Sequence, residues 1–467
     1  MLTDAYNFGH QYLKVNTDFE VSHFYNRTEP MVLFGFREMV QTYLSIQITA
    51  DMIVEAHEHA NKMGCPFPTE IFYNVVNNCD GYFPLQVDAV ADGTWVPAGT
   101  PFAQIKNTLL GFGELVTWFE AVFMHAYFAS ACATRAFKMR NYINLLFGNK
   151  SETAKWRFHS FGFRGHKSLE DAYWAGMAWS MFLPGTDDAH ISLHLKNTTQ
   201  IGSILALAHK VTQQYDNETN CFVNAVDIAS KTKRNIVALV IDTYNADNVI
   251  QNMVEPVTKY AKNLGVHCVW RPDSGDLFQQ TRDILFILEQ AGLDNGSVII
   301  GEGMSFDEAK KMDERLFASG CNISKVSYGI GAGFYKDIER DTLGWAMKTA
   351  FSNKKNRMKL VESCELKQSI PGEIVLLRHR QTGQVVVAYK EDSYLNDGSY
   401  VNIFDRIYSS NSPSTTVSPY FAPQENIPEI RDRAYATEAS GRLPLVLSEM
   451  IKEEIKSFKI KYSAKQS

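Results

Sequence analysis

The chain has 467 residues, of which 45% are hydrophobic and 21% charged, and its net charge at neutral pH is −6. That length accommodates two domains or one barrel with a large elaboration, and the composition is that of an ordinary soluble globular protein. The acidic balance argues against a general nucleic-acid binder while leaving room for a local basic pocket that holds a small anion. Seven scattered cysteines without a CxxC pair suggest neither a disulfide framework nor a zinc site, so a reducing, cytoplasmic setting is expected. No charged-then-apolar leader opens the sequence.

Residues 1–148 mix helices with short strands. Helices are predicted over 51–63 and 114–146, and a small β unit over 85–106 with turn signals at Asp92-Gly93 and Pro97-Ala98-Gly99. The most apolar stretch, 115–133, contains Glu120 and His125 and is expected to be a buried helix, not a membrane span. Between 149 and 355 strands and helices alternate: strand 235–242, helix 246–264, strand 266–270, helix 278–291, strand 297–301, helix 306–318 and strand 323–328. The strands are continuous apolar runs of about 5–8 residues, as expected when both faces of a parallel sheet are covered. Each ends in polar or glycine chemistry: Asp242, then Arg271 and Asp273, then Gly301-Glu302-Gly303, then Gly329-Ile330-Gly331-Ala332-Gly333. Four such ends in succession predict an active site at the carboxyl ends of the strands. In the last segment, 356–467, a hairpin is predicted over 372–389 around Gln381-Thr382-Gly383, then a charged helix over 445–458. The expected fold class is α/β, an irregular TIM-like β/α barrel with a second α+β domain formed from the N- and C-terminal segments.

Several motifs carry possible chemistry. In Phe158-His159-Ser160-Phe161-Gly162-Phe163-Arg164-Gly165 a flat base could stack on an aromatic face while Arg164 holds a phosphate. The plain alternative is core aromatics and an ion-paired arginine. In Pro184-Gly185-Thr186-Asp187-Asp188 either carboxylate could cap a helix or accept a hydrogen bond from an amide NH₂. His190 and His194 lack the flanking ligands of a metal site; His209 becomes interesting only where the fold brings it near Asp242, which could orient its ring. The glycine-rich 329–333 could cradle phosphate with backbone amides, although it is neither a GxGxxG fingerprint nor a P-loop. Arg340 and Lys348 could add positive charge, or simply face solvent.

Taken in order, the strings FHSFGFRG, GTDD, LALAHK, VIDTYN, RPDSGD, VIIGEG, SYGIGAGF and ERD resemble the nicotinamide/nicotinate phosphoribosyltransferase family. The resemblance implies a homodimer with active sites shared between subunits. It implies transfer of phosphoribose from phosphoribosyl pyrophosphate to a pyridine base, with Mg²⁺, no nucleic acid and no membrane. ATP is implied as a facilitating co-substrate through a phosphorylated histidine, matched by His209 with Asp242 as its partner. Phe161 matches the aromatic on which the base stacks, and Tyr6 the one closing over it from the neighbouring subunit. Arg271 and Asp273 match contacts to carboxamide, ribose and phosphates. Arg164, Gly301, Glu302, Gly331 and Ala332 match the ribose-phosphate wall, and Arg27, Arg340 and Lys348 match phosphate contacts across the dimer. Asp187 matches an aspartate of the amide-using branch. A carboxylate about 4 Å from a bound nicotinate would cost roughly 4 kcal/mol at an effective dielectric near 20, so nicotinamide is the expected base and nicotinate the alternative. Asp276, and Arg357-Met358-Lys359-Leu360 followed by Ile370-Pro371-Gly372, resemble the nicotinate branch more. Glu302, Ala332 and Ala346 stand where close nicotinamide relatives often have Asp, Gly and Ser.

Overall fold

The computed structural model describes residues 2–13, 17–149, 151–195, 199–361, 364, 367–396, 398–410 and 418–463. The chain divides into two compact units, one made of residues 1–134 with 338–467 and the other of residues 135–337. Residues 338–355, expected with the barrel segment, therefore belong to the terminal unit. Pairing decides this, because Ala346–Ser352 lies antiparallel to Glu20–Tyr25.

Among its described residues the 135–337 unit holds seven parallel strands: β1 (Phe158–Ser160), β2 (Gly185–Thr186), β3 (Leu205–Ala206), β4 (Ile236–Val240), β5 (His267–Arg271), β6 (Gly296–Ile300) and β7 (Val326–Ile330). Their spatial order is β2-β1-β7-β6-β5-β4-β3. The sheet curls until β2 meets the chain just ahead of β3 through a parallel bridge, Gly185 to Gly202, backed by Thr186 N–H donating to Gly202 O at 3.0 Å. Gly185 is required there, since a β-carbon would lie 2.6 Å from the Phe158 carbonyl oxygen. Alternation along the strands explains why both faces are apolar. Ala238, Val269 and Ile299 form an inner cluster joined by Phe161 and Ile204. Trp270, also fully buried, donates from Nε1 to Thr258 Oγ1 at 3.0 Å on the helix Val254–Asn263.

Helix starts follow side-chain capping. Asn245, Asp276 and Ser305 each accept a backbone N–H three residues on, opening Ala246–Asn252, Leu277–Gln290 and Phe306–Ala318. Two expectations change. The helix predicted over 246–264 breaks at Met253, and the strand predicted over 323–328 begins as a turn of 3₁₀ helix and runs on through Ile330. Gly329 is thus a strand residue, not part of a loop.

In the terminal unit an antiparallel sheet runs, in spatial order, through 355–356, 346–352, 20–25, 101–107, 85–90, 404–409 and 420–421. The hairpin strands Val375–His379 and Val385–Ala388 belong to a separate four-stranded sheet. Phe24, Phe36, Phe102 and Phe123 pack edge-on or tilted in the core. Buried Asp92, its pKa pushed up to about 7 by desolvation, accepts from Gly35 N–H, while Arg433 Nη1 donates to its carbonyl oxygen. The two chain ends are tied at this point. Among the described residues no single helix is long and apolar enough to cross a membrane; the bent pair Gly113–Met124 and Ala126–Phe147 passes only jointly. Ala126, Ala129, Cys132 and Ala133 in that pair are fully buried, as expected of a core helix. All seven cysteines are free thiols.

Candidate active site

The carboxyl ends of the parallel strands gather most of the polar residues singled out above. Ser160 pairs with Thr186, and Asp187 N–H donates to the Ser160 carbonyl at 3.0 Å, so Phe161 and Asp187 leave adjacent strands side by side. The Phe161 ring lies close against the backbone of β7: a β-carbon on Gly329 would fall 1.9 Å from its Cε2. Gly301, just past β6, marks where three side chains converge. A β-carbon there would sit 2.9 Å from Asp273 Oδ1, 3.6 Å from Phe161 Cε2 and 3.8 Å from Arg271 Cδ.

The two acids of the 185–190 segment have separate jobs. Asp188 is buried, accepts from Ser160 Oγ at 2.7 Å and from Phe163 N–H at 3.2 Å, and ties the two loops together. Burial raises its pKa, and these donors pull it back. Asp187 is exposed, with Oδ1 accepting from the Ser203 hydroxyl and no hydrogen bond at Oδ2 among the described residues. His190 packs tilted against Phe163 and His194 edge-on against Tyr173, a packing role.

His209 lies between two acids. Its Nε2 is 3.4 Å from Asp273 Oδ2 and 3.8 Å from Asp242 Oδ1, while Nδ1 is 3.2 Å from Thr243 Oγ1. The expected contact with Asp242 is present, but Asp273 is nearer. Ser274 Oγ donates to Asp242 Oδ2, whereas Asp242 Oδ1 is buried without a hydrogen bond among the described residues. Ligand atoms of His209, Asp242 and Asp273 lie within 4.8 Å of one another. Arg271, mostly covered, holds Nε 3.9 Å from Asp273 Oδ1. Arg164, Glu302 and Ala332 are exposed near these strand ends, and Gly331 is half-buried. Tyr335 joins two of the turns, donating to Gly162 O at 3.0 Å while its own turn carries Ala332. A cavity of about 700 Å³ lies elsewhere, at the amino ends of the strands beside His267, Gly296 and Val326.

Tyr6, Arg27, Arg340 and Lys348 belong to the terminal unit, where they too come together. Arg27 is 8% exposed, stacks over Tyr25, and leaves Nε and Nη2 without a partner among the described residues. Burial lowers the pKa of Lys348; Glu120 at 3.9 Å opposes this, and neighbouring Arg27, Lys359 and Arg340 add to it. Burial raises the pKa of Tyr6, helped by Glu120 and Asp4 and opposed by Arg340. Such a group of cations around one carboxylate suits a polyanion. Ser203, Thr243, Glu120 and Lys359 were not singled out as site residues from the sequence. Each gains its place from a contact distant in sequence or, for Thr243, from ring orientation, neither of which leaves a local signal.

Residues 156–366 match the model of the nicotinate phosphoribosyltransferase (NAPRTase) family. Over 413 residues the chain is 24% identical to a Xanthomonas campestris protein named nicotinamide phosphoribosyltransferase, covering 82% of this chain and 88% of that one. It is 24% identical over 316 residues to an Acinetobacter baylyi protein of the same name, covering 58% and 62%. Among solved structures, human nicotinic acid phosphoribosyltransferase superposes with a TM-score of 0.66 at 16% identity, covering 98% of this chain and all of that one. Nicotinate-nucleotide pyrophosphorylase from Pyrococcus furiosus gives 0.62 at 14% identity, covering 94% and 95%. At such identities the superpositions speak for the fold alone.

Proposed function

We propose that this protein transfers phosphoribose from phosphoribosyl pyrophosphate to the ring nitrogen of nicotinamide, giving nicotinamide mononucleotide and pyrophosphate. The observation that carries this reading is the β1–β2 pairing, which makes Phe161 and the exposed Asp187 leave adjacent strands side by side. A flat, uncharged pyridine stacks on the ring, and its carboxamide donates to the carboxylate, which would repel the anionic acid. The names of the relatives point to the same base. Asp276, which resembles the nicotinate branch, is explained here as a helix cap.

Breaking the anomeric C–O bond builds positive charge on the ribose and negative charge on the departing pyrophosphate. Asp273 faces the first. Arg271 and Arg164 suit the second, as does the cluster of Arg27, Arg340 and Lys348. Gly301, Glu302, Gly331 and Ala332 form the wall along the ribose phosphate. The pyridine nitrogen attacks without losing a proton, so positioning supplies much of the rate. We read the two clusters as one site shared by two copies of the chain, with Tyr6 of the second copy closing over the base. The curled sheet is read as an irregular β/α barrel, and the cytoplasm as its compartment.

ATP is assigned as the phosphoryl donor to His209. Two carboxylates against one ring nitrogen favour the positive charge that builds when the other nitrogen takes a phosphoryl group. The same acids fit Mg²⁺, because buried Asp242 Oδ1 accepts nothing else and Asp273 adds a second hard oxygen. Bound there with substrate oxygens, the ion would neutralise phosphate charge.

Initial rates with the two bases at equal phosphoribosyl pyrophosphate, read as pyrophosphate release, test the assignment. Nicotinamide should be the faster substrate, and faster use of nicotinate would reverse the choice of base. Gly329→Ala puts a methyl group where the Phe161 ring lies. It should raise KM for the base about tenfold, the value of one aromatic contact, with little change in KM for phosphoribosyl pyrophosphate. Equal rises in both would point to general distortion instead.

A further inference from the structure

We propose that Ser203 is a second specificity-determining residue, which selects the amide by committing its only proton to Asp187. This rests on the assignment of nicotinamide as the base. Ser203 follows directly on the bridge from Gly185 in β2 to Gly202, just ahead of β3, so this seam delivers its hydroxyl to the acid opposite. The Ser203 hydroxyl donates to Asp187 Oδ1, and its remaining contact is a long one to Ile204 O at 3.4 Å. A serine hydroxyl has one hydrogen and two lone pairs. With the hydrogen spent on Asp187, the pair shows an incoming ligand only acceptors: the lone pairs of Ser203 Oγ and the open Oδ2 of Asp187.

A carboxamide NH₂ carries two hydrogens and can satisfy both acceptors. A carboxylate carries none, so it meets lone pairs and charge together. Removal of the Asp187 charge reverses the hydroxyl's part, because the freed hydrogen can then turn toward a bound carboxylate. The seam therefore couples Ser203 to the acid in two ways: it fixes which oxygen of Asp187 is left open, and it takes its own hydrogen out of play. As a solvent-exposed pair, the two would contribute little to stability.

The test compares kcat/KM for nicotinamide and nicotinate in the parent protein, Ser203→Ala, Ser203→Thr, Asp187→Ser and the double variant. Ser203→Ala should lower the nicotinamide-to-nicotinate ratio about tenfold, the scale of one charge-assisted hydrogen bond, mainly through KM for nicotinamide. Ser203→Thr, which keeps the hydroxyl, should restore the ratio. The double variant should gain about tenfold less nicotinate activity than Asp187→Ser alone, by the same hydrogen-bond scale. A parent that prefers nicotinamide, together with an unchanged ratio in Ser203→Ala, would overturn the inference and leave the assigned base intact. A parent that prefers nicotinate would overturn the assignment itself.

Discussion

Asp187→Ser is expected to reduce the nicotinamide-to-nicotinate ratio of kcat/KM by roughly a hundredfold, chiefly by admitting nicotinate. The upper bound is about 4 kcal/mol for like charges 4 Å apart at an effective dielectric near 20. Because Asp187 is exposed, solvent and salt screen part of that repulsion, and about 2.7 kcal/mol, or a hundredfold, is the realistic scale. Raising the ionic strength should narrow the gap between parent and variant. A ratio that stays put would mean the acid does not face the base.

Asp273→Asn should lower kcat/KM for transfer by about two to three orders of magnitude, the usual scale for removing a group aimed at developing charge. The residue stands 3.4 Å from His209, 3.9 Å from Arg271 and against Gly301, so its charge is shared by every part of the reacting group. Asn keeps the shape and loses the charge. Asp242→Asn is the informative partner: it faces His209 and Ser274 but not Arg271 in the contacts observed, so it should reduce ATP stimulation more than it reduces basal transfer. His209→Ala sets the reference for complete loss of stimulation. Were both Asn variants to depress basal transfer equally, Asp273 would have no special place at the ribose.

The parallel sheet was legible from the chain because its strands are buried on both faces and its helices begin at capping residues. The run from Ile236 to Ile330 shows both signals in order. The strands β2 and β3, two residues each, carry no periodicity and were invisible. For the same reason the bridge at Gly185 and Gly202 could not be foreseen, nor could the contact it gives Ser203. Clustered site residues were found because strand ends are close in sequence to the strands that aim them. Tyr6 and Arg27 needed resemblance, whereas Arg340 and Lys348 were legible only as cations that could equally face solvent; that Lys348 lies near Arg27 follows from pairing across the terminal sheet, not from local pattern. The boundary at 355 failed for a related reason: only the pairing of Ala346–Ser352 with Glu20–Tyr25 assigns that segment to the terminal unit.

The partner of that strand also bears on how the molecule is made. Glu20–Tyr25 leaves the ribosome early, yet one of its two neighbours in the sheet, Ala346–Ser352, is synthesised more than three hundred residues later. The 135–337 unit is contiguous and can settle as soon as it emerges, whereas the amino-terminal strands must wait with an edge unpaired. Nascent chains stalled before residue 346 should therefore expose a sticky β edge, and chaperone occupancy on the growing polypeptide should fall once that strand arrives.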